Sequence, residues 1–143
     1  MIHASSTLRA AEERDLEDLV ALAAATFPLA CPPSTTAEAI AEHLRTRLSA
    51  EAIGSWIERA DCTVLVADGS TGLCAYALVV TGPCGDPLAG EALESRGVDT
   101  ASIHELSKIY ALPDVQGGGL ARRLLEATID AAIAAHGPLP VWL

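Results

Sequence analysis

The sequence predicts an α/β domain with a mixed β-sheet flanked by helices, and three observations predict it. Half of the 143 residues are hydrophobic, mostly aliphatic, a composition that suits a globular core and argues against disorder. Segments with strand-like and helix-like patterns follow one another along the chain. The last of them form a strand–helix–strand unit, which implies a parallel or nearly parallel strand pair joined by a crossover.

The first half of the chain is expected to hold an edge strand, three helices and a β-hairpin. Asp15 begins the first helix, which carries apolar residues at helical spacing. Thr35 and Glu38 have the spacing of a capping box for the second helix, and Ser49 can cap the third. The expected elements are a strand Thr7 to Ala10, a helix from Asp15 to the prolines at 28, 32 and 33, a helix Ala37 to about Leu48, a short helix with Ile53, Trp56 and Ile57, and hairpin strands Thr63 to Ala67 and Leu73 to Val80.

The second half begins with a long loop, Thr81 to Ala101, with one helical turn expected near Glu91 to Ser95. No repeat, low-complexity tract or linker interrupts the chain, so we expect a single domain, 1–143. The remaining expected elements are a strand Ile103 to Ala111, a loop Pro113 to Gly118, a helix Gly119 to Ala135 that Gly137 and Pro138 stop, and a strand beginning at Val141.

The net charge and the cysteines indicate which classes of ligand and partner the protein is expected to bind. The net charge of −10 argues against nucleic acid, because phosphate binding needs a basic face. It is compatible with a cationic amine substrate, and equally with an acidic surface that only confers solubility. No apolar run is long enough to span a membrane and no signal peptide is visible, so we expect a cytoplasmic protein. The cysteines, expected to be reduced and to bind no metal, are Cys31, Cys62, Cys74 and Cys84.

Three consecutive glycines, Gly117 to Gly119, separate the strand from the helix that follows. Glycines permit positive φ and close approach of a ligand to the backbone. Amide N–H groups can then converge at the helix N-terminus, where a pyrophosphate is a natural ligand. A P-loop would need Lys-Ser or Lys-Thr after the last glycine, and a dinucleotide-binding loop would need a different glycine spacing. A glycine-rich turn without a ligand remains the alternative.

The loop and its preceding strand together resemble motif A of the GNAT superfamily of acetyltransferases. That motif is a strand, a proline-containing turn, then Gln or Arg, two residues, Gly, one residue, and Gly or Ala. Gln116, Gly119 and Ala121 fill the three fixed positions. The upstream order of elements also resembles the superfamily, and Ile103 to Leu143 is most similar to the bacterial spermidine/spermine-type N-acetyltransferases.

The resemblance implies acetyl-CoA as co-substrate, held in a cleft between the fourth and fifth strands. In the family, the loop amides bind the pyrophosphate, and free backbone groups of the splayed strand bind the pantetheine arm. The implied strand residues are Ile109, Tyr110 and Ala111. The implied loop residues are Gln116, Gly117, Gly118, Gly119, Leu120, Ala121 and Arg122.

The implied reaction is attack of an amine on a thioester, for which the ammonium must first lose a proton. Glu105 is the candidate base, because it matches the position of the general-base glutamate in several family members. His104 is the second candidate, since its ordinary pKa of about 6.5 suits the task. Strand alternation predicts Glu105, Ser107 and Ile109 on one face, and His104, Leu106 and Lys108 on the other.

The resemblance therefore predicts transfer of an acetyl group to a primary amine of a small molecule, with a polyamine as one expected acceptor. A non-catalytic acyl-CoA-binding or regulatory module is the alternative. Family members continue past the fifth strand with a helix and a hairpin, whereas this sequence stops at Leu143, so we expect both to be missing. Apolar surface at Val141 to Leu143 should then be exposed, which predicts self-association, for instance as a homodimer, or weakened catalysis.

Overall fold

The computed structural model describes residues 7–83, 87–97 and 101–143, without the side chain of Ala89. These residues form a five-stranded sheet in the order β1-β2-β3-β4-β5, antiparallel except for the parallel pair of β4 and β5. The mixed α/β fold predicted from the sequence is confirmed. The elements are β1 (Thr7–Ala10), α1 (Leu16–Ala30), α2 (Ala37–Arg47), α3 (Ala50–Glu58), β2 (Cys62–Gly69), β3 (Gly72–Gly82), α4 (Pro87–Glu94), β4 (Ile103–Ala111), α5 (Leu120–His136) and β5 (Val141–Trp142).

Alternation along the central hairpin builds a hydrophobic core on each face of the sheet. Successive side chains of a strand point to opposite faces, so one set from β2 and β3 meets α1 and α3, and the other meets α5. The α1/α3 set is Val64, Val66, Tyr76 and Leu78. The α5 set is Leu65, Ala67, Ala75 and Ala77.

Helix starts depend on local capping. Ser49 caps α3 as predicted, because its Oγ accepts the Ala52 N–H at 3.2 Å. The cap of α2 is Thr36 and not Thr35, since the Thr36 Oγ1 accepts the Ala39 N–H at 3.0 Å. The predicted capping box was one residue out of register, because a capping side chain reaches the amide two or three residues ahead.

Two other boundaries differ from the sequence-based expectation. Helix α1 runs through Pro28 to Ala30; in the last turn a proline breaks one main-chain hydrogen bond without blocking a long helical segment beyond it. Strand β3 extends to Gly82, and the expected single turn is the helix α4, Pro87–Glu94. The rest of the expected loop at 84–86 and 98–100, including Cys84, lies outside the described residues.

The β5 end of the sheet is partly apolar at its surface. Val141 and Leu143 are 39% and 68% exposed, as expected from the sequence, while the self-association expected from this surface stays a prediction. In the part of the chain that the structure describes, Cys31, Cys62 and Cys74 are free thiols. Within the same ranges, every helix is too short or too polar to cross a lipid bilayer.

Candidate active site

The parallel strands β4 and β5 are paired only at the start of β4. β5 pairs with His104 and Glu105 at the start of β4. The β3–β4 register then shifts, because Val79 pairs with Leu106 and Leu78 with Lys108, which leaves Ser107 as a bulge residue. A bulge bends its strand and increases the local twist. Beyond Ser107, β4 has no β5 neighbour among the described residues, so this part of its edge is open.

The open edge presents main-chain groups in a regular order. The Leu112 N–H donates to the Cys74 carbonyl at 2.9 Å, so alternation directs the main chain of Tyr110 toward β3 and that of Ile109 and Ala111 outward. The Ala111 carbonyl accepts Gln116 Nε2 at 3.0 Å. The main chain of Tyr110, which the resemblance implied to be free, is therefore directed toward its register partner Tyr76 in β3.

The glycine loop opens α5 without a side-chain cap. Gly117 and Gly119 have φ of +90° and +79°, values that favour glycine, and Gly119 is the N-cap. The first main-chain bond of the helix runs from the Arg123 N–H to the Gly119 carbonyl at 3.1 Å. The amides of residues 117–122 have no partner in the described part of the chain. A helix of 17 residues adds its dipole there, so this end is suited to bind an anion.

The loop has room for such an anion. A Cβ placed on Gly117, Gly118 or Gly119 would meet nothing within 4 Å. The space over the loop is therefore open, and Gly118 is the one of the three whose φ lies outside the left-handed region. The residues present thus fit a diphosphate, which needs several converging N–H donors and no nearby side chain.

A cavity of about 250 Å³ joins the loop to the open strand edge, and we call it the strand-edge cavity. It brings together four of the residues predicted to bind a coenzyme, Ile109, Tyr110, Ala111 and Gln116. The end of α1 supplies its other wall, through Thr26, Leu29 and Ala30. Sequence reasoning missed this wall, because α1 lies about 80 positions earlier in the chain and carries no motif.

The two candidate bases have different surroundings. His104 is fully buried, its Nδ1 lies 2.8 Å from Thr81 Oγ1, and its Nε2 lies 2.9 Å from the Gly137 carbonyl. A carbonyl can only accept, so Nε2 donates, and in the neutral ring Nδ1 then accepts the Thr81 hydroxyl proton. His104 therefore has no free lone pair and holds β4, β3 and the end of α5 together. Glu105 is half-buried, and its carboxylate has no ion pair or hydrogen bond with the described residues.

The bulge also changes which side chains share a face. Glu105 pairs with Val80, which packs in the α1/α3 core, whereas Ile109 packs in the α5 core. The predicted alternation over 104–109 is therefore wrong after Ser107, because one extra residue inverts the later positions. Lys108 consequently lies on the face of Glu105, with its Nζ 5.6 Å from the centre of the Trp56 ring.

Comparison with known proteins identifies the family. No model of a known protein family matches the chain. An uncharacterised N-acetyltransferase of Mycobacterium tuberculosis is 33% identical over 129 residues, which cover 90% of this chain and 71% of the relative. The chain belongs to the GNAT family of N-acetyltransferases.

Solved structures share the fold of this acetyltransferase. The PaiA N-acetyltransferase of Thermoplasma acidophilum, crystallised with coenzyme A, superposes with a TM-score of 0.71 at 18% identity, over 92% of this chain and 74% of that one. An aminoglycoside antibiotic 6'-N-acetyltransferase of Acinetobacter haemolyticus gives a TM-score of 0.64 at 17% identity, over 96% of this chain and 78% of that one.

The structure of the acetyltransferase groups most of the predicted site residues at one edge of β4. Ile109, Tyr110, Ala111 and Gln116 line the strand-edge cavity, and the loop amides follow Gln116 directly along the chain. The Arg122 side chain instead forms an ion pair with Glu126, 3.1 Å from Nε to Oε1, on the exposed face of α5. Any contribution of Arg122 to an anion therefore comes first from its main-chain N–H.

Proposed function

We propose that this acetyltransferase transfers the acetyl group of acetyl-CoA to a primary amine of a small molecule, by direct attack of the amine on the thioester. The polyamine acceptor expected from the sequence is one member of this class. The coenzyme residues proposed are the loop 116–122, with Ile109 and Ala111 acting through the main chain and Tyr110 through its side chain. The proposed base is Glu105.

One observation carries this proposal: at the start of α5 a run of amides without partners among the described residues adjoins a strand edge that no described strand covers. The amides suit the diphosphate of coenzyme A, and a free strand edge suits an amide-bearing arm that pairs as an added strand would. The two features follow one another along β4 and the loop, in the order in which diphosphate and pantetheine follow one another in the coenzyme.

In the proposed reaction, one set of residues binds acetyl-CoA and another residue accepts the proton of the amine. Acetyl-CoA supplies the electrophilic thioester carbonyl. The loop and the open edge of β4 position it, and positioning two reactants supplies much of the rate in such transfers. Glu105 accepts the proton that the ammonium must lose, directly or through one water. A thiolate with an ordinary pKa of roughly 8.5 is an adequate leaving group, so no covalent enzyme intermediate is needed.

The comparisons support this proposal at the level of the coenzyme and the type of acceptor. The PaiA enzyme was crystallised with coenzyme A. The Acinetobacter enzyme is named for acetylation of an aminoglycoside, a small molecule that carries amines. Both share the fold, and the site of this chain offers the main-chain donors that such a coenzyme requires.

Two measurements on the purified protein test the proposal. Coenzyme A and acetyl-CoA should raise the melting temperature in a concentration-dependent way, because a ligand that binds only the native state stabilises it. Acetyl-CoA with primary amines should release free thiol above the rate of hydrolysis. Protection without thiol release would favour an acyl-CoA-binding module, and no protection would overturn the proposal.

A further inference from the structure

A second cavity lies on the opposite side of the bulge from the coenzyme loop. It has a volume of about 260 Å³ and lies between α2, α3 and the β3–β4 ladder. This volume is below the range of roughly 300–1,000 Å³ typical of drug-sized ligands, so it suits a small molecule. We call it the basic cavity; its polar and aromatic lining includes His43, Arg47, Trp56, Arg59, Ser107 and Lys108.

The basic cavity adjoins the proposed site of chemistry. It is lined by the bulge residue Ser107 and its neighbour Lys108, which lie directly between the proposed base and the strand edge proposed for the coenzyme. Val80, the register partner of Glu105, also lines it. A molecule in this cavity therefore sits on the face of the sheet that carries Glu105.

The charge of this cavity is opposite to that of the whole chain. The net charge of the protein is −10, yet none of the described residues that line this cavity carries a carboxylate. Arg59 is neutralised by the nearby Asp61, with Nη2 and Oδ2 at 2.6 Å. Arg47 and Lys108 have no carboxylate partner within the described ranges, so their charges are available to a ligand.

The cationic groups are close enough to influence one another. Burial, and then the positive charge of Arg47, lower the pKa of Lys108. Burial, and then Lys108 and Arg47, lower the pKa of His43. Lys108 and His43 are half-buried, while Arg47 beside them is exposed. Like charges in a partly buried site are costly unless an anion compensates them, and anionic oxygens are the natural partners of Arg and Lys.

We propose that the acceptor is a small primary amine that also carries an anionic oxygen group, a carboxylate or a phosphate, bound by Lys108 and Arg47 in the basic cavity. This inference rests on the proposed acetyl transfer. The ammonium first gives one proton to Glu105, and the amine nitrogen then forms the bond to the acetyl carbon as the carbon–sulfur bond breaks. The second nitrogen proton passes to the departing thiolate, so that the coenzyme leaves as its thiol. A polyamine is a poor acceptor in this arrangement, because its second charge is repelled by Arg47 and Lys108.

A panel of matched amines tests the proposal by kcat/KM. β-Alanine and O-phosphoethanolamine carry the two anionic groups, propylamine and ethanolamine are their counterparts without that group, and spermidine is the polycation. At least one anionic amine should exceed its counterpart by tenfold or more, and the comparison between the two tells carboxylate from phosphate. Spermidine should be the weakest acceptor.

Variants assign the preference to the cavity. Lys108→Met keeps the packing on Trp56 and removes the charge, and Arg47→Met is a second variant at an exposed helix position; each should reduce the anionic preference about tenfold. Arg45→Met is the control, because Arg45 pairs with Glu42 and does not line the cavity. Coenzyme A affinity, measured by calorimetry, should be the same in all four proteins.

The inference is overturned by equal use of anionic and neutral amines, by preference for spermidine, or by an anionic preference unchanged in both cavity variants. Acetylation of no amine in the panel also overturns it. The calorimetric measurement then separates the two proposals, because retained coenzyme A binding leaves the coenzyme site standing while absent binding removes the proposed function as well.

Discussion

Glu105 is the residue on which proton transfer depends in the proposed reaction. Glu105→Gln keeps the size of the side chain and removes the base, so kcat should fall by about 10²-fold or more. The deficit should shrink as pH rises, because more of the amine is then already deprotonated. Steady-state kinetics across pH with a working amine measures this.

The control for that experiment is Glu58→Gln, an exposed residue at the end of α3, which should retain wild-type kcat. Coenzyme A affinity should be unchanged in both variants. A Glu105→Gln protein with near wild-type kcat at neutral pH would remove Glu105 from the mechanism.

A second prediction for a single residue concerns the effect of the buried Tyr76 hydroxyl on stability. It is fully buried, and its hydroxyl is without a hydrogen-bond partner among the described residues. Burial raises the pKa of this phenol, so the hydroxyl stays protonated. A buried hydroxyl without a partner costs free energy, so Tyr76→Phe should raise the free energy of unfolding by about 1 kcal/mol.

Urea denaturation measures that change. Tyr110→Phe is the matched comparison, because the Tyr110 ring lies 5.6 Å from that of Tyr76 but is half-buried, so its effect should be close to zero. A destabilised Tyr76→Phe protein would show that the hydroxyl has a stabilising partner in solution.

At the scale of elements, the glycine loop at the start of α5 leads to a prediction about coenzyme A affinity. Gly118→Glu should fold normally, because a Cβ there meets nothing within 4 Å. Its carboxylate would repel a diphosphate, so coenzyme A affinity should fall at least tenfold, and more at low salt. Gly118→Gln, of matched size and no charge, should lose less. Calorimetric titration measures both, and equal affinities for the two variants would contradict binding of a diphosphate at this loop.

For strand β4, the sequence predicted the bounds of the strand but not which of its side chains lie on each face of the sheet. Its bounds, Ile103–Ala111, match the sequence-based expectation, because β-branched and apolar residues mark a strand locally. The bulge at Ser107 depends on how β4 pairs with β3, and no local pattern indicated it. Lys108 therefore joined the face of Glu105, against the prediction from alternation.

At the scale of the whole molecule, an ion cluster ties the start of the chain to the sheet. Arg9 of β1 donates to both carboxylate oxygens of Asp15 at 2.8 Å and to Asp68 of β2 at 2.7 Å. Asp15 also accepts the Glu12 N–H at 2.7 Å. The Arg9 hydrogen bonds lower the pKa of Asp15 from 3.8 to about 2, and the carboxylate is only 7% exposed.

This lowered pKa predicts how stability depends on pH. Asp15 stabilises the fold fully above its unfolded pKa of about 4, and the stabilisation is lost as pH falls toward 2, with a size of about 2 kcal/mol. Asp15→Asn should therefore lower the free energy of unfolding at pH 7 and make it less sensitive to acid. Urea denaturation between pH 2 and 7 measures this. Asp130→Asn, on the exposed face of α5, should behave as wild type, and parallel pH profiles for Asp15→Asn and wild type would contradict the assignment.

The sequence by itself determined the parts of this protein that are local. The strand and helix order, the Ser49 cap and the glycine loop at 117–119 follow from residue types within a few positions, because main-chain conformation and amide exposure depend on near neighbours. The glycine loop proposed to bind the coenzyme is therefore visible in the sequence alone, and the resemblance to N-acetyltransferases that rested on it is confirmed.

Only the tertiary structure decided what depends on distant parts of the chain. The basic cavity joins Arg47 of α2, Trp56 of α3 and Lys108 of β4, which are separated by up to about 60 positions. The two ring nitrogens of His104 are hydrogen-bonded to Thr81 and to the Gly137 carbonyl. Charges and hydrogen bonds act through space over a few ångströms, so their partners are set by packing and register, which no window of sequence contains.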